Sequence, residues 1–156
     1  GRSRLASASR TPGRTQQIVM FGLPSGAIVA DLPGYGYAAV PKAVKRVWQD
    51  VLATYVATRS TLVALVLVVD ARHGLKPLDL AMLDGFLPSG RPVMVLATKS
   101  DKLTRTESAR AAAAIRGQLA ERYPGQAPRV SVVPFSATAR TGLMEADAIL
   151  GRWLAA

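Results

Sequence analysis

Two almost continuously aliphatic segments constrain the fold of this chain more than any other feature. Residues 62–70 and 92–98 carry aliphatic side chains at nearly every position. Strands of this composition are typical of parallel sheets that helices cover on both faces. Neither segment approaches the roughly 18–20 apolar residues that a membrane-spanning helix needs. We therefore predict that residues 62–70 form a central, doubly covered strand and that the chain does not enter a membrane.

Extended and helical patterns alternate along the 156 residues, which predicts one α/β domain with a mainly parallel sheet and helices on both faces. The strands at 17–23 and 27–32 are separated by a Pro-Ser-Gly turn and are expected to form an antiparallel hairpin. The remaining predicted strands are 62–70, 92–98 and 130–135, and the predicted helices are 41–58, 77–86, 106–123 and 143–154.

Charge and composition limit the classes of function. The chain has 20 Lys and Arg against ten Asp and Glu, a formal net charge of +10, no Cys and one His. The absence of Cys excludes disulfides and thiolate metal sites and is compatible with the reducing cytoplasm. The positive charge favours a polyanionic partner such as RNA, and a basic protein without such a partner is the alternative. No export signal is recognisable, so we expect a cytoplasmic location.

The segment after the second aliphatic strand predicts a base-recognition loop. Thr98, Lys99, Ser100 and Asp101 match the pattern [NT]-K-x-D. The Asp101 carboxylate can accept hydrogen bonds from N1–H and the exocyclic amine of guanine, whereas adenine would leave this carboxylate unpaired. The aliphatic part of Lys99 would lie along the base. A solvated polar loop is the alternative interpretation.

A second pattern at a strand end indicates phosphate and metal chemistry. Asp31, Leu32, Pro33 and Gly34 match the D-x-x-G loop of nucleoside triphosphatases. Asp31 would hold Mg²⁺ through a water molecule, and the Gly34 N–H would reach the γ-phosphate. Residues 34–39 also fit a G-x-G-x-x-A dinucleotide pattern, but the helix predicted from Pro41 begins too late for that fold.

Two further segments complete the predicted site. Phe135, Ser136 and Ala137 end the last strand, and the Ala137 N–H would donate to O6 of guanine, an acceptor that adenine lacks. Residues 11–16 form a basic loop interrupted by Pro and Gly, in which Thr15 would coordinate Mg²⁺ and close over the γ-phosphate. A flexible arm is the alternative interpretation of that loop.

These motifs, in this order, resemble those of one family. The strings TPGRTQ, DLPGYGYA, RHGLKPLD, TKSDKL and PFSA are similar to the EngB-type (YihA/YsxC) bacterial ribosome-biogenesis GTPases of the P-loop class, over 1–153. The string RHGLKPLD, at residues 72–79, is typical of the family and is not a general requirement of GTPases. The resemblance implies a P-loop GTPase-like fold, with GTP or GDP and Mg²⁺ as cofactors. We expect a monomer.

The resemblance also implies a set of nucleotide-binding residues, among which Thr15 would bind the metal directly and Asp31 through water. The full set is Gly1, Arg2, Ser3, Gly13, Arg14, Thr15, Gln16, Gln17, Asp31, Leu32, Pro33, Gly34, Thr98, Lys99, Ser100, Asp101, Phe135, Ser136 and Ala137.

The chain departs from the family pattern at the Walker A loop, G-R-S-N-x-G-K-S. Residues 1–3 begin this loop, but residues 4–7 are Arg-Leu-Ala-Ser, and no Gly-Lys dipeptide follows. The strand before the loop and the helix after it are missing as well. We therefore expect the sequence to be incomplete at its N-terminus and internally, and we assign no phosphate-binding Lys. Tyr35 stands where many GTPases carry a water-orienting Gln, which predicts slow hydrolysis at most and no catalytic residue.

The resemblance implies a role in assembly of the large ribosomal subunit, with ribosomal RNA as a partner, and a link to cell division and septation. A nucleotide-dependent rearrangement of residues 35–37 would redirect the helix from Pro41 and its basic side chains Lys42, Lys45 and Arg46. The alternatives are a non-catalytic ribosome- or RNA-binding module and a defective fragment that has lost nucleotide binding.

Overall fold

The computed structural model describes residues 18–32, 50 and 53–154. The chain divides into two units, the first ending at Tyr55 and the second beginning at Val56. Features predicted within 1–17 and 33–49 lie outside the described residues. They include the Thr15 loop, the end of the D-x-x-G pattern with Tyr35, the helix start at Pro41 and its basic side chains.

The first unit contains the predicted antiparallel hairpin, made of β1 (Val19–Gly22) and β2 (Ile28–Asp31). Its turn is closed by the Leu23 carbonyl, which accepts the Gly26 N–H at 2.9 Å, and by the Leu23 N–H, which donates to Ala27 O at 2.8 Å. Gly26 has a φ of +86°, which Gly adopts without a Cβ penalty. On the side of the turn each strand ends one residue short of the prediction, because Leu23 and Ala27 pair in the turn.

The second unit contains a parallel sheet that, within the described residues, has three strands in the order β3–β4–β5. This α/β arrangement confirms the predicted fold class. Helix α1 is described at residue 50 and at 53–58. The later elements are β3 (Leu65–Asp70), α2 (Pro77–Phe86), β4 (Val93–Thr98), α3 (Arg105–Arg122), β5 (Val130–Pro134) and α4 (Leu143–Leu154), with short 3₁₀ turns at Leu87–Ser89, Ser100–Lys102 and Ala127–Arg129.

Local signals account for the starts of α2 and α3. Pro77 occupies the first turn of α2, and the Asp79 carboxylate accepts the Lys76 N–H at 2.7 Å. At α3, Thr104 Oγ1 accepts the Glu107 N–H at 3.2 Å while the Glu107 carboxylate accepts the Thr104 N–H at 2.8 Å. This reciprocal capping satisfies donors that the first helical turn leaves free.

The middle strand, β4, is covered on both faces. Val93, Met94 and Val95 alternate between the faces, and all are 0 % exposed. On one face Met94 packs in a cluster with Val133 of β5 and with Ala146 and Ile149 of α4, residues that are themselves buried. The sheet therefore holds its carboxyl-end loops on a rigid base.

The prediction that residues 62–70 form a central strand with two covered faces is wrong for the described part of the chain. There β3 lies at an edge, and Val66 and Val68 are 39 % and 62 % exposed. These valines pair with Met94 and Leu96 of β4, so they share the face over which α4 packs. They remain exposed because the α4 cluster includes β4 and β5 residues and none from β3.

The aliphatic run also extends beyond the strand. Residues 62–64 precede β3, and the Leu62 N–H donates to Arg59 O at 3.2 Å in a turn. Ladder pairing begins only where the Leu65 N–H donates to Pro92 O at 3.1 Å. Hydropathy cannot separate an aliphatic turn from an aliphatic strand, and the predicted start is three residues early.

Candidate functional site

The base-recognition residues predicted after β4 and β5 meet at the carboxyl end of the parallel sheet. The Ser100 N–H donates to Phe135 O at 3.1 Å, and the Phe135 N–H donates to Ala97 O at 2.8 Å. These bonds continue the pairing of β4 and β5 beyond the strands themselves. Ligands of open α/β sheets usually bind at such strand ends.

The contact that organises this site joins Ser136 to Asp101. Ser136 Oγ donates to Asp101 Oδ1 at 2.6 Å and accepts the Ala139 N–H at 3.1 Å. Ser136 is 1 % exposed, so its hydroxyl is held in a fixed direction. The bond from Ser136 lowers the pKa of Asp101, and Lys102 lowers it further. Asp101 is therefore an oriented carboxylate that is ionised at neutral pH.

Asp101 keeps acceptor capacity after these contacts. Its Oδ2 lies 3.5 Å from Lys102 Nζ, a long contact with an exposed side chain, and the Asp101 side chain is 22 % exposed. One residue beyond Ser136, the Ala137 N–H donates to no described residue, and Ala137 is exposed. The site thus offers a carboxylate acceptor and a backbone donor on neighbouring loops.

Lys99, between the end of β4 and the turn that contains Asp101, adopts an unusual backbone conformation. Its φ of 59° and ψ of 29° are left-handed, which costs a side-chain-bearing residue about 1 kcal/mol. The preceding Thr98 donates from Oγ1 to Val69 O at 2.8 Å, and Lys99 Nζ lies 3.1 Å from Asp70 Oδ2. Contacts to β3 therefore hold both the backbone and the side chain of this segment.

Asp70 is a site residue that the sequence analysis did not assign. Its Oδ1 accepts the backbone N–H of Arg72 at 3.0 Å and Arg72 Nε at 2.9 Å, while Oδ2 accepts Arg72 Nη2 at 2.7 Å. Hydrogen bonds from Arg72, with a further contribution from Lys99, hold the pKa of Asp70 well below its usual range. The signal available in the sequence was an acidic residue at the end of an aliphatic strand, two positions before an Arg.

Gly142 is a second contributor that the sequence did not reveal. The Ser136 N–H donates to Thr141 O at 3.1 Å and closes the loop after β5. Gly142 follows with a φ of +72°, and a Cβ at this position would clash with Pro134 O and press on Val133 Cγ1. Only Gly fits this approach of the loop to β5, so Gly142 supports the position of Ser136.

The other predicted residues lie in the first unit or outside the described residues. Asp31 is the exposed last residue of β2, and Leu32 follows it half-buried, both in the first unit. The other members lie outside the described residues: Gly1, Arg2, Ser3, Gly13, Arg14, Thr15, Gln16, Gln17, Pro33 and Gly34.

Among residues 18–32, 50 and 53–154, no group of three or more His, Cys, Asp or Glu side chains is arranged to hold a metal ion. In that same part of the chain, no helix is long and apolar enough to cross a bilayer.

Comparison with known proteins identifies the family. The Probable GTP-binding protein EngB of Azoarcus sp. (strain BH72) is 49 % identical over 154 residues, which cover 99 % of this chain and 72 % of that protein. The Probable GTP-binding protein EngB of Neisseria meningitidis serogroup B (strain MC58) is 45 % identical over 151 residues, covering 97 % of this chain and 71 % of that protein. The chain belongs to the EngB family. No protein-family model matches it.

Solved structures give the same fold for this EngB-family chain. Translation elongation factor SelB from Methanococcus maripaludis, in complex with the GTP analogue GPPNHP, superposes with a TM-score of 0.63 at 20 % identity. The match covers 88 % of this chain and 27 % of SelB, so the chain spans about a quarter of that protein. At this identity the likeness concerns the fold alone, and it supports a P-loop GTPase-like α/β architecture.

Proposed function

We propose that this chain binds GTP and GDP and recognises the guanine base at the carboxyl ends of β4 and β5. The observation that carries the proposal is the 2.6 Å bond from Ser136 to Asp101, which orients the carboxylate from one side. Ser136 occupies one of the roughly four lone-pair positions of this carboxylate, so its two oxygens remain able to accept the N1–H and the exocyclic amine of guanine. The relatives' name, GTP-binding protein, supports the same ligand.

The chemistry of the two loops favours guanine over adenine. Adenine has an acceptor at N1 and no amine beside it, so it would leave the Asp101 carboxylate desolvated and unpaired. The Ala137 N–H would donate to O6 of guanine, where adenine presents an amine. Sites that require such hydrogen bonds discriminate by about 10⁴-fold.

We propose Mg²⁺ as the companion of the nucleotide phosphates. Mg²⁺ commonly takes one or two carboxylates, with waters and phosphate oxygens as its other ligands. The exposed Asp31 carboxylate at the end of β2 fits a water-mediated contact of this kind, with Thr15 as the proposed direct ligand. When bound, the ion would neutralise phosphate charge. With Tyr35 after D-x-x-G, we expect hydrolysis to be slow.

The cellular role that we propose is assembly of the large ribosomal subunit in the cytoplasm, with ribosomal RNA as the partner and normal cell division as the consequence. The net charge of +10 supports a polyanionic partner. The motif resemblance to ribosome-biogenesis GTPases supports the choice of the ribosome among polyanions.

Equilibrium binding tests the nucleotide proposal. Fluorescent analogues of GDP, GTP and ATP are titrated into the full chain with and without Mg²⁺. We expect guanine nucleotides to bind at least about 1,000-fold more tightly than ATP. Equal affinities for ATP and GTP would contradict base recognition by Asp101. A folded chain that binds RNA and no nucleotide would instead favour the non-catalytic module, and an unfolded chain would favour the defective fragment.

Sedimentation with purified ribosomal subunits tests the cellular proposal. The full chain is mixed with large or small subunits across a salt series, with GDP or a non-hydrolysable GTP analogue. We expect binding to the large subunit that weakens steeply with salt, because phosphate contacts release counterions. Equal binding to both subunits, or no response to salt, would contradict the proposed partner.

A further inference from the structure

The string RHGLKPLD after β3 is typical of the family, and guanine recognition leaves it unexplained. Its Arg72 bonds to Asp70 at the end of β3, and Asp70 in turn reaches Lys99 on the neighbouring loop. Asp70, Arg72 and Lys99 together form an ion cluster. Through it, the loop after β3 contacts the proposed base site without containing a group that would read the base.

The Asp70 carboxylate has no acceptor capacity left for a ligand. Four donors surround its two oxygens at 2.7–3.1 Å: the backbone N–H, Nε and Nη2 of Arg72 and Nζ of Lys99. A carboxylate offers about four lone-pair positions. The Asp70 side chain is 16 % exposed, whereas that of Lys99 is 58 % exposed. The less mobile partner is therefore Asp70, and the group that it restrains is Lys99.

Lys99 is also the residue whose conformational freedom would weaken nucleotide binding most. It follows the last residue of β4, precedes the turn that contains Asp101, and has a left-handed backbone. A long side chain at such a position samples many rotamers unless its terminal group is bound. Binding Nζ to Asp70 directs the aliphatic part of Lys99 across the ends of β3 and β4.

We propose that Asp70 is a positioning residue for nucleotide binding, acting through Lys99 to hold the aliphatic surface on which the base lies. This inference rests on the proposed function. In this arrangement Asp101 selects guanine over other bases. The ion cluster determines the affinity for any base that the site accepts. Loss of Asp70 therefore weakens binding and leaves base selectivity unchanged.

A double-mutant cycle tests the proposal on the full chain with fluorescent GDP. Asp70→Asn removes the charge, and Lys99→Met removes the ion pair while keeping an unbranched apolar side chain of similar length. We expect each single variant to bind GDP about tenfold more weakly, and the double variant to lose about the same tenfold, because both remove one interaction. The preference for GDP over xanthosine diphosphate is measured in parallel and should stay at its wild-type value.

Asp84→Asn is the matched control. Asp84 also accepts two hydrogen bonds from one guanidinium, that of Arg122, on α2 and α3 outside the base site. The substitution Asp84→Asn should leave GDP affinity unchanged. Unfolding midpoints of all variants are measured without nucleotide. If Asp70→Asn does not fold, Lys99→Met alone decides, because wild-type affinity in that variant means that the ion pair has no positioning role.

The outcomes separate this inference from the proposed function. A wild-type chain that binds no guanine nucleotide overturns both. Tight GDP binding by wild type with wild-type affinity in Asp70→Asn, or losses that multiply to about a hundredfold in the double variant, overturns the positioning role alone. A change in the xanthine preference of Asp70→Asn would also overturn it, since selectivity would then involve Asp70.

Discussion

Two carboxylates stand at the ends of adjacent parallel strands and are held in different ways. Asp70, at the end of β3, is surrounded by four donors from Arg72 and Lys99. Asp101, after β4, receives one short bond from Ser136 and a 3.5 Å contact from Lys102. Both have lowered pKa values, Asp70 chiefly through Arg72 and Asp101 chiefly through Ser136. Only Asp101 keeps free acceptor positions.

The difference shows why a lowered pKa alone does not identify a ligand-binding carboxylate. The pKa of Asp70 lies well below its usual range, but its lone pairs are filled by its own chain, so it acts on neighbouring side chains. Asp101 is fixed by a donor 35 residues away, on the loop after β5. Its orientation therefore depends on that loop, while the orientation of Asp70 depends chiefly on the adjacent Arg72.

The substitution Asp101→Asn tests the ligand-binding half of this comparison and has the largest expected effect. The Asn amide presents a donor to N1–H and the exocyclic amine of guanine, so GDP affinity should fall about 1,000-fold or more. Xanthosine diphosphate should gain affinity, because its O2 accepts a hydrogen bond from the amide. Titration with both nucleotides measures the switch, and Asp147→Asn on the exposed surface of α4 is the control. Unchanged GDP affinity would mean that Asp101 does not contact the base.

The substitution Gly142→Ala removes the support of Ser136, the donor to Asp101, and should leave Asp70 in place. The added Cβ clashes with Pro134 O at a φ of +72°, so we expect the free energy of unfolding to fall by about 3 kcal/mol. Chemical denaturation measures this loss. Gly151→Ala is the matched control, because a Cβ there meets nothing within 4 Å and lies in α4. That control should be neutral or stabilising, and equal losses in both variants would remove the special role of Gly142.

The substitution Ser136→Ala deletes the short hydrogen bond to Asp101. We expect GDP to bind about tenfold more weakly, because a hydrogen bond to a charged group orients the carboxylate. Ser131→Ala in β5, outside the site, is the control. An affinity equal to wild type would mean that the Ser136 bond does not prepare Asp101 for the base.

Ser136→Ala should also change how the stability of the fold depends on pH in the acid range. Because Ser136 lowers the pKa of Asp101 in the folded state, the bond stabilises the fold above the unfolded pKa, about 4, and this contribution is lost as pH falls through the lower folded value. Ser136→Ala should raise the folded pKa of Asp101 and reduce the acid dependence of stability below about pH 4. Carboxyl NMR titration of both proteins measures the shift, and coincident curves would contradict it.

Much of the fold was predictable from local signals. The helix at 77–86 was predicted with its observed ends, because Pro77 marks its first turn and Pro88 follows two residues after its last. The hairpin was predicted from its Pro-Ser-Gly turn. The exposure of Val66 and Val68 was missed, because covering a strand depends on where α4 packs and not on the strand's own hydropathy.

The sequence motifs of the site were predictable, whereas the contacts between their residues were not. The strings TKSD and FSA placed Asp101 and Ser136 in neighbouring loops, since consecutive parallel strands end at the same edge of a sheet. The 2.6 Å bond between them, the four donors to Asp70 and the approach of Gly142 to Pro134 depend on three-dimensional distances that spacing does not encode.

Ser100 gives the smallest expected effect, on the same loop as Asp101. Ser100 is 6 % exposed, and its buried Oγ has no hydrogen-bond partner among the described residues. Because a buried hydroxyl without a partner is destabilising, Ser100→Ala should leave the free energy of unfolding unchanged or raise it by about 1 kcal/mol. Denaturation with and without GDP measures this. A loss of more than about 1 kcal/mol without GDP would mean that the Ser100 hydroxyl has a partner in the free protein, such as an ordered water, and a loss only with GDP would mean that it contacts the nucleotide. In the second case the loop after β4 would offer the nucleotide a hydroxyl in addition to the Asp101 carboxylate, whereas the Asp70 carboxylate has no free acceptor position.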